Sequence, residues 1–142
     1  MIGIDSKSSL GQVASLVAPP LAVMAVIFFL SAQPNLVPTQ GFWETLARKT
    51  FHTFEYMLLA LCWMRALRGL LPRWRVGAVI AGALCLTLAY AASDEFHQQF
   101  VAGRHGAPRD VAIDAIGMAI AALLALAYAR RRRVGPSRPR AA

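Results

Sequence analysis

The stretch SDEFHQQFVAGRHGAPRD, residues 93–110, sets acids, bases and amides at short regular intervals. Asp94 and His97 are three apart, as are Glu95 and Gln98, so each pair shares a face if the segment is helical. A second polar stretch, ARKTFHTFEY, places His52 and Glu55 at the same interval. An imidazole beside a carboxylate can accept or return a proton near neutral pH. His52, Glu55, Asp94, Glu95, His97 and Asp114 are therefore the candidate catalytic residues. Lys49, Gln98, Arg104, Arg109 and Asp110 form the candidate ligand-binding set, the bases being suited to a phosphate or carboxylate. His52-x-x-Glu55 and Asp94-x-x-His97 have the spacing of imidazole–carboxylate metal pairs in helix bundles. The first runs in the reverse order and no HExxH occurs, so no metal ligand is assigned. Gly-x-Ser-x-Gly and a phosphate-binding loop are also missing, and Ser93 reads as a helix or turn residue. No motif specifies a cofactor.

These residues sit in a very apolar chain. Of its 142 residues, 57% are hydrophobic and 15% charged, against about 45–50% and about 25% in soluble domains. Four apolar runs, about 13–31, 50–67, 76–93 and 111–129, approach the roughly 20 residues that cross a bilayer as a helix. The expected fold is all-α: an integral-membrane four-helix bundle, one domain over residues 1–129, followed by a basic tail at 130–142 expected to be disordered. FFLSAQ offers no small-x-small cleavage site, so the first run reads as an anchor rather than a signal peptide. Pro19-Pro20 should kink or break it near its start. The second run is the least orthodox, because its uncharged centre covers only Tyr56 to Met64; Arg65 is expected to snorkel outward. In the fourth, Gly117, Ala121 and Ala125 follow Asp114 at close to four-residue steps. Small residues so placed mark close helix contacts, which points the acidic end into the bundle.

The net charge of +8 does not indicate a nucleic-acid partner, because the bases flank apolar runs instead of forming an aromatic-interleaved face. With the amino terminus cytoplasmic, eleven Lys and Arg lie on that side: Lys7, the four from the end of run two to run three (Arg65, Arg68, Arg73 and Arg75), and the six after run four. Arg48, Lys49, Arg104 and Arg109 lie opposite. Under the positive-inside tendency both termini are cytoplasmic and both polar stretches face outward. The ARRRR run reads as a stop-transfer anchor in contact with anionic lipid. Cys62 and Cys85 are expected to pack near the midplane, Trp63 near a helix end, and Trp43 and Trp74 in opposite interfacial belts. His105 should be solvated.

FFLSAQP, KTFHTFEY and SDEFHQQFVAGRHGAPRDVAIDAIG also resemble the VanZ-like family of small bacterial membrane proteins, over about residues 26–129. Ala102 departs from the family, which usually has proline before Gly-Arg, and implies a looser turn here. By the resemblance, Ser31, Gln33, Lys49, His52, Glu55, Tyr56, Asp94, Glu95, His97, Gln98, Gly103, Arg104, Asp110, Asp114 and Gly117 are family-like positions. The resemblance implies a multi-pass protein of the bacterial inner membrane and cell envelope. It also implies an association with low-level resistance to the glycopeptide teicoplanin.

Three functions follow as expectations. The first is an outward polar pocket for an anionic lipid-linked or wall-related ligand. The second is a membrane-surface hydrolase or transferase using the His/carboxylate cluster. The third is a structural or partner-binding protein. Within them, Arg104 and Arg109 either hold an anion or pair with Asp110, Asp94 or Glu95. The cluster itself either acts on a ligand or pins the helices. The partners expected are membrane lipid and an anionic envelope lipid or precursor, with no nucleic acid; the sequence does not specify an oligomeric state.

Overall fold

Lipid offers no partner for backbone N–H and C=O groups, so an apolar chain of this kind must satisfy them within helices. The computed structural model describes residues 6–34, 41–104 and 108–134. These form α1 (Ser6–Ser31), α2 (Phe42–Leu70), α3 (Val76–Gln98) and α4 (Pro108–Val134), with no strand among the described residues. His105, Arg138 and Arg140 lie outside them, as do the side chains of Lys7, Arg48 and Arg133.

Three helices contain stretches long and apolar enough to cross a membrane: Leu10–Ser31, Val76–Gln98 and Arg109–Arg132. Their outer faces carry exposed Phe28, Phe29, Leu123 and Leu124. In water such a surface would be an aggregation liability; in lipid it is matched to its solvent. α2 is different, because Lys49, Glu55, Arg65 and Arg68 interrupt its apolar character. It is instead the central helix, touching each of the other three, whereas α1 and α4 do not touch one another among the described residues. Its Tyr56, Leu59, Ala60 and Ala66 are all fully buried.

α2 begins at Phe42 rather than near Thr50 and ends at Leu70. Nothing between Gly41, its extended N-cap, and Pro72, just past its C-cap, breaks the helix. α3 likewise runs past Ser93 to Gln98, which carries the polar stretch onto a helix.

Of the kink or break expected at the prolines, the break does not occur: α1 is continuous through Pro19 and Pro20. Pro19 has no N–H to donate to the Ser15 carbonyl four residues earlier. Arg65 Nη1 of α2 donates to that carbonyl instead, at 3.1 Å. Arg65 is exposed, as a snorkelling residue should be, but its end is fixed. Arg65→Met is expected to lower stability by about 1 kcal/mol, measured as a shift in the detergent melting transition. In a Pro19→Ala background the same change should be nearly neutral, because an alanine there restores the backbone donor. A full effect in both backgrounds would refute this account.

The small-residue face of α4 meets α2. Gly117 and Ala121 are buried and Ala125 half-buried. A Cβ at Gly117 would collide with the Thr53 carbonyl oxygen, so the two backbones are in direct contact. Trp43 and Trp74 are exposed at opposite ends of the bundle, as interfacial residues should be. Trp63 packs between two buried clusters, one built on Ala60, Met64, Val79 and Ala83 and the other on Ile27, Tyr56, Leu59 and Ala91. The thiols depart from expectation: Cys62 is half-buried, but Cys85 is exposed on the outer face of α3. A small apolar side chain needs no burial where the surroundings are lipid.

Candidate functional site

The polar residues collect at one end of the bundle, where α1 ends, α2 passes its second turn, α3 ends and α4 begins. Their centre is Asp94, 3% exposed. Its Oδ2 accepts from Ser31 Oγ of α1 at 2.8 Å, Tyr56 OH of α2 at 3.2 Å and Gln98 Nε2 of α3 at 2.8 Å. Gln98 Nε2 also approaches Ser31 Oγ at 3.4 Å. One carboxylate oxygen thus ties three helices. Asp94 shares its working face with Gln98, one helical turn on, rather than with His97. His97 points to α1, where its ring stacks on Phe28 with centroids 4.7 Å apart. His97 Nε2 and Asp94 Oδ1 are buried with no hydrogen-bond partner among the described residues.

The partners of Asp94 are neutral donors. A guanidinium brought to this depth would itself have to be stripped of water, whereas hydroxyl and amide groups lose far less. The bases go elsewhere. Lys49 Nζ bridges Asp110 Oδ1 at 3.0 Å, joining α2 to the first turn of α4 in a half-exposed pair. Arg104 donates Nε to the Gln33 carbonyl at 3.1 Å and Nη2 to the Leu30 carbonyl at 3.0 Å. These carbonyls close the C-terminal end of α1, where a cation is favoured by the helix dipole. Arg104 therefore takes a partner the sequence did not suggest. Arg109 is exposed.

The loop that delivers Arg104 is an ordered turn despite Ala102. Gly103 has φ 72°, a left-handed conformation that glycine adopts without strain. Arg104 N–H donates to the Val101 carbonyl at 3.0 Å.

Asp114 and Glu95 are buried, at 2% and 7% exposure. Asp114 lies within electrostatic range of Glu95, Asp110, Asp94 and Glu55. Its depth follows from the Gly117 contact one turn later, which draws the start of α4 against α2. The acidic end of α4 does point into the bundle.

Beside this core lies a cleft of ≈ 480 Å³ lined by Leu30, Gln33, Pro34, Phe51, His52, Glu55 and Arg104. His52 and Glu55 reach it from one face of α2, and Arg104 from the loop after α3. Asp94, His97 and Asp114 are not among its lining residues, nor are Lys49, Arg109 and Asp110. The eleven candidate residues thus divide into a cleft set of His52, Glu55 and Arg104, the Asp94–Gln98 pair of the buried network, buried Glu95 and Asp114, His97 stacked on Phe28, a Lys49–Asp110 bridge and an exposed Arg109. No three His, Cys, Asp or Glu come together as a metal-ligand group among the described residues.

Ser31 and Tyr56, absent from the candidate catalytic and ligand-binding sets, are as central as the acid they serve. Both stood among the family-like positions, and a serine closing the apolar run 16–30 was the available signal. Tyr90, whose hydroxyl donates to the Met24 carbonyl and ties α3 to α1, gave no signal beyond its type.

No curated protein and no solved structure matches this chain. The VanZ/LLP1 family model matches residues 16–129, a range that holds the whole buried network and every residue of the cleft. With that match over most of its length and three helices apolar enough to cross a bilayer, the chain belongs to the VanZ-like family of membrane proteins.

Proposed function

We propose that the cleft binds the anionic head group of a lipid-linked cell-envelope ligand. The observation that carries this reading is the cleft lining: a cation, an imidazole and a carboxylate beside Leu30, Pro34 and Phe51. Arg104 would face the anion, with its plane already fixed by two backbone carbonyls. A guanidinium held in advance loses less entropy on binding than a mobile side chain. Glu55 supplies an acceptor for a head-group hydroxyl, and the apolar wall suits the first part of a hydrocarbon chain. The Lys and Arg distribution, eleven against four, supports cytoplasmic termini and an outward-facing cleft in the bacterial inner membrane. The association of VanZ-like proteins with teicoplanin resistance accords with a wall-related ligand at that face.

A polyprenyl phosphate is the probe for this reading. Native mass spectrometry of the detergent-purified chain should show it bound, and Arg104→Gln should weaken it by about 10–100-fold, the value of a charge-assisted contact. Circular dichroism and melting report separately on the end of α1 that Arg104 also holds. Equal affinity in a folded Arg104→Gln variant would overturn the proposal.

His52 and Glu55 on the same cleft wall also favour a second reading, group transfer or hydrolysis at the bound head group. Its mark is His52→Ala retaining the lipid while losing turnover.

A further inference from the structure

We propose that a second groove, at the opposite end of the bundle, holds one anionic phospholipid of the surrounding bilayer. The groove has a volume of ≈ 550 Å³ and runs between α2, α3 and α4. Three arginines line it: Arg65 and Arg68 of α2 and Arg132 of α4. The remaining wall is mainly apolar, including Ile80 and Ala125, with Tyr128 near its rim. Arg68 lies thirteen residues beyond Glu55 on α2, about 20 Å along the helix, so this groove is separate from the cleft of the proposed function.

The charge distribution identifies the occupant. No acid lines the groove among the described residues. The acids whose side chains are described, Glu55, Asp94, Glu95, Asp110 and Asp114, all sit toward the other end. The three guanidinium groups are therefore oriented by neutral partners. Arg65 donates Nη1 to the Ser15 carbonyl, Arg68 donates Nη1 to the Trp74 carbonyl at 3.4 Å, and Arg132 lies 4.9 Å over the Tyr128 ring. Each contact leaves most of the five N–H donors of its arginine for an anion. A phosphate among three such groups, with an acyl chain along Ile80 and Ala125, supplies the missing negative charge and covers the apolar wall. Basic pockets between membrane helices recognise anionic head groups in this way.

The test is titration of the purified full chain in detergent with phosphatidylglycerol, using phosphatidylcholine as the zwitterionic control, read by native mass spectrometry. Wild type should retain phosphatidylglycerol preferentially. Arg68→Gln/Arg132→Gln should bind it about 30-fold more weakly, and Arg68→Lys/Arg132→Lys should recover most of the loss. Arg130→Gln/Arg131→Gln, on the same basic run but outside the groove lining, should stay within about twofold of wild type. Ala129→Phe, which fills the groove and keeps every charge, should also lose the lipid, and it decides the matter if the Gln variant does not fold. Equal binding of the two lipids would overturn the proposal. So would equal losses in the two Gln pairs, which mark a diffuse basic surface, or unchanged binding in Ala129→Phe.

Discussion

Asp94→Ala is expected to destabilise the bundle by about 3 kcal/mol or more, whereas Asp94→Asn should cost about 1 kcal/mol. The difference follows from which oxygen does the work. Removing the carboxyl strands Ser31 Oγ, Tyr56 OH and Gln98 Nε2 in a buried site, all three having donated to Oδ2. Each stranded donor costs about 1–3 kcal/mol, and because they share one acceptor the costs do not simply add. Asparagine keeps a carbonyl oxygen where Oδ2 stands. Its amide then occupies the place of Oδ1, which has no partner among the described residues. Unfolding of the purified protein by titrated denaturing detergent gives both numbers. Ser31→Ala and Tyr56→Phe, each removing one donor, should fall near the lower of them, at about 1 kcal/mol each. If Asp94→Asn were as damaging as Asp94→Ala, the hub would depend on the ability of the side chain to ionise and not on its shape. Should Asp94→Asn instead fold normally and lose ligand, the network would be shown to serve the cleft as well as the fold.

Gly117→Ala is expected to cost about 3 kcal/mol, the upper part of the range for overpacking a well-filled interface. The added carbon would run into the Thr53 carbonyl oxygen and stand 3.0 Å from its carbon and 3.1 Å from Met57 N. These are backbone atoms of α2 and cannot rotate aside as a side chain could. The helices must separate, and the displacement falls on Asp114 one turn away and on the Lys49–Asp110 bridge beyond it. Gly77→Ala is the control. Nothing lies within 4 Å of its Cβ, and removal of a helical glycine should raise stability by about 0.4–1 kcal/mol. Gly82→Ala should be intermediate, since the nearest atoms, 3.2 Å away, belong to the Leu67 and Trp74 side chains. Melting midpoints in one detergent check the order of all three. A neutral Gly117→Ala would show that α2 and α4 do not meet as closely as described.

The helical class and the number of helices were written in the sequence, because long apolar runs in lipid leave the backbone few other solutions. The inward aim of Asp114 was legible too, since small residues at 117, 121 and 125 fix which face of α4 can approach another helix. So was the gathering of the polar stretches, which follows from counting crossings. The continuity of α1 was not legible. A proline pair predicts a kink or break from local chemistry alone, and the Ser15 carbonyl that Pro19 leaves without a donor is satisfied by Arg65, 50 residues away.

The site divides in the same way. Residue type and spacing identified its acids, histidines and bases, and placed His52 and Glu55 on one face. Pairing depended on which helices are neighbours and on their rotation about their own axes, information that no local window contains. Only the tertiary structure sent Arg104 to the carbonyls of α1, gave Lys49 to Asp110 and surrounded Asp94 with neutral donors. A serine, a tyrosine and a glutamine from three helices can converge on one buried oxygen at lower desolvation cost than an arginine can. That balance is settled when the helices pack.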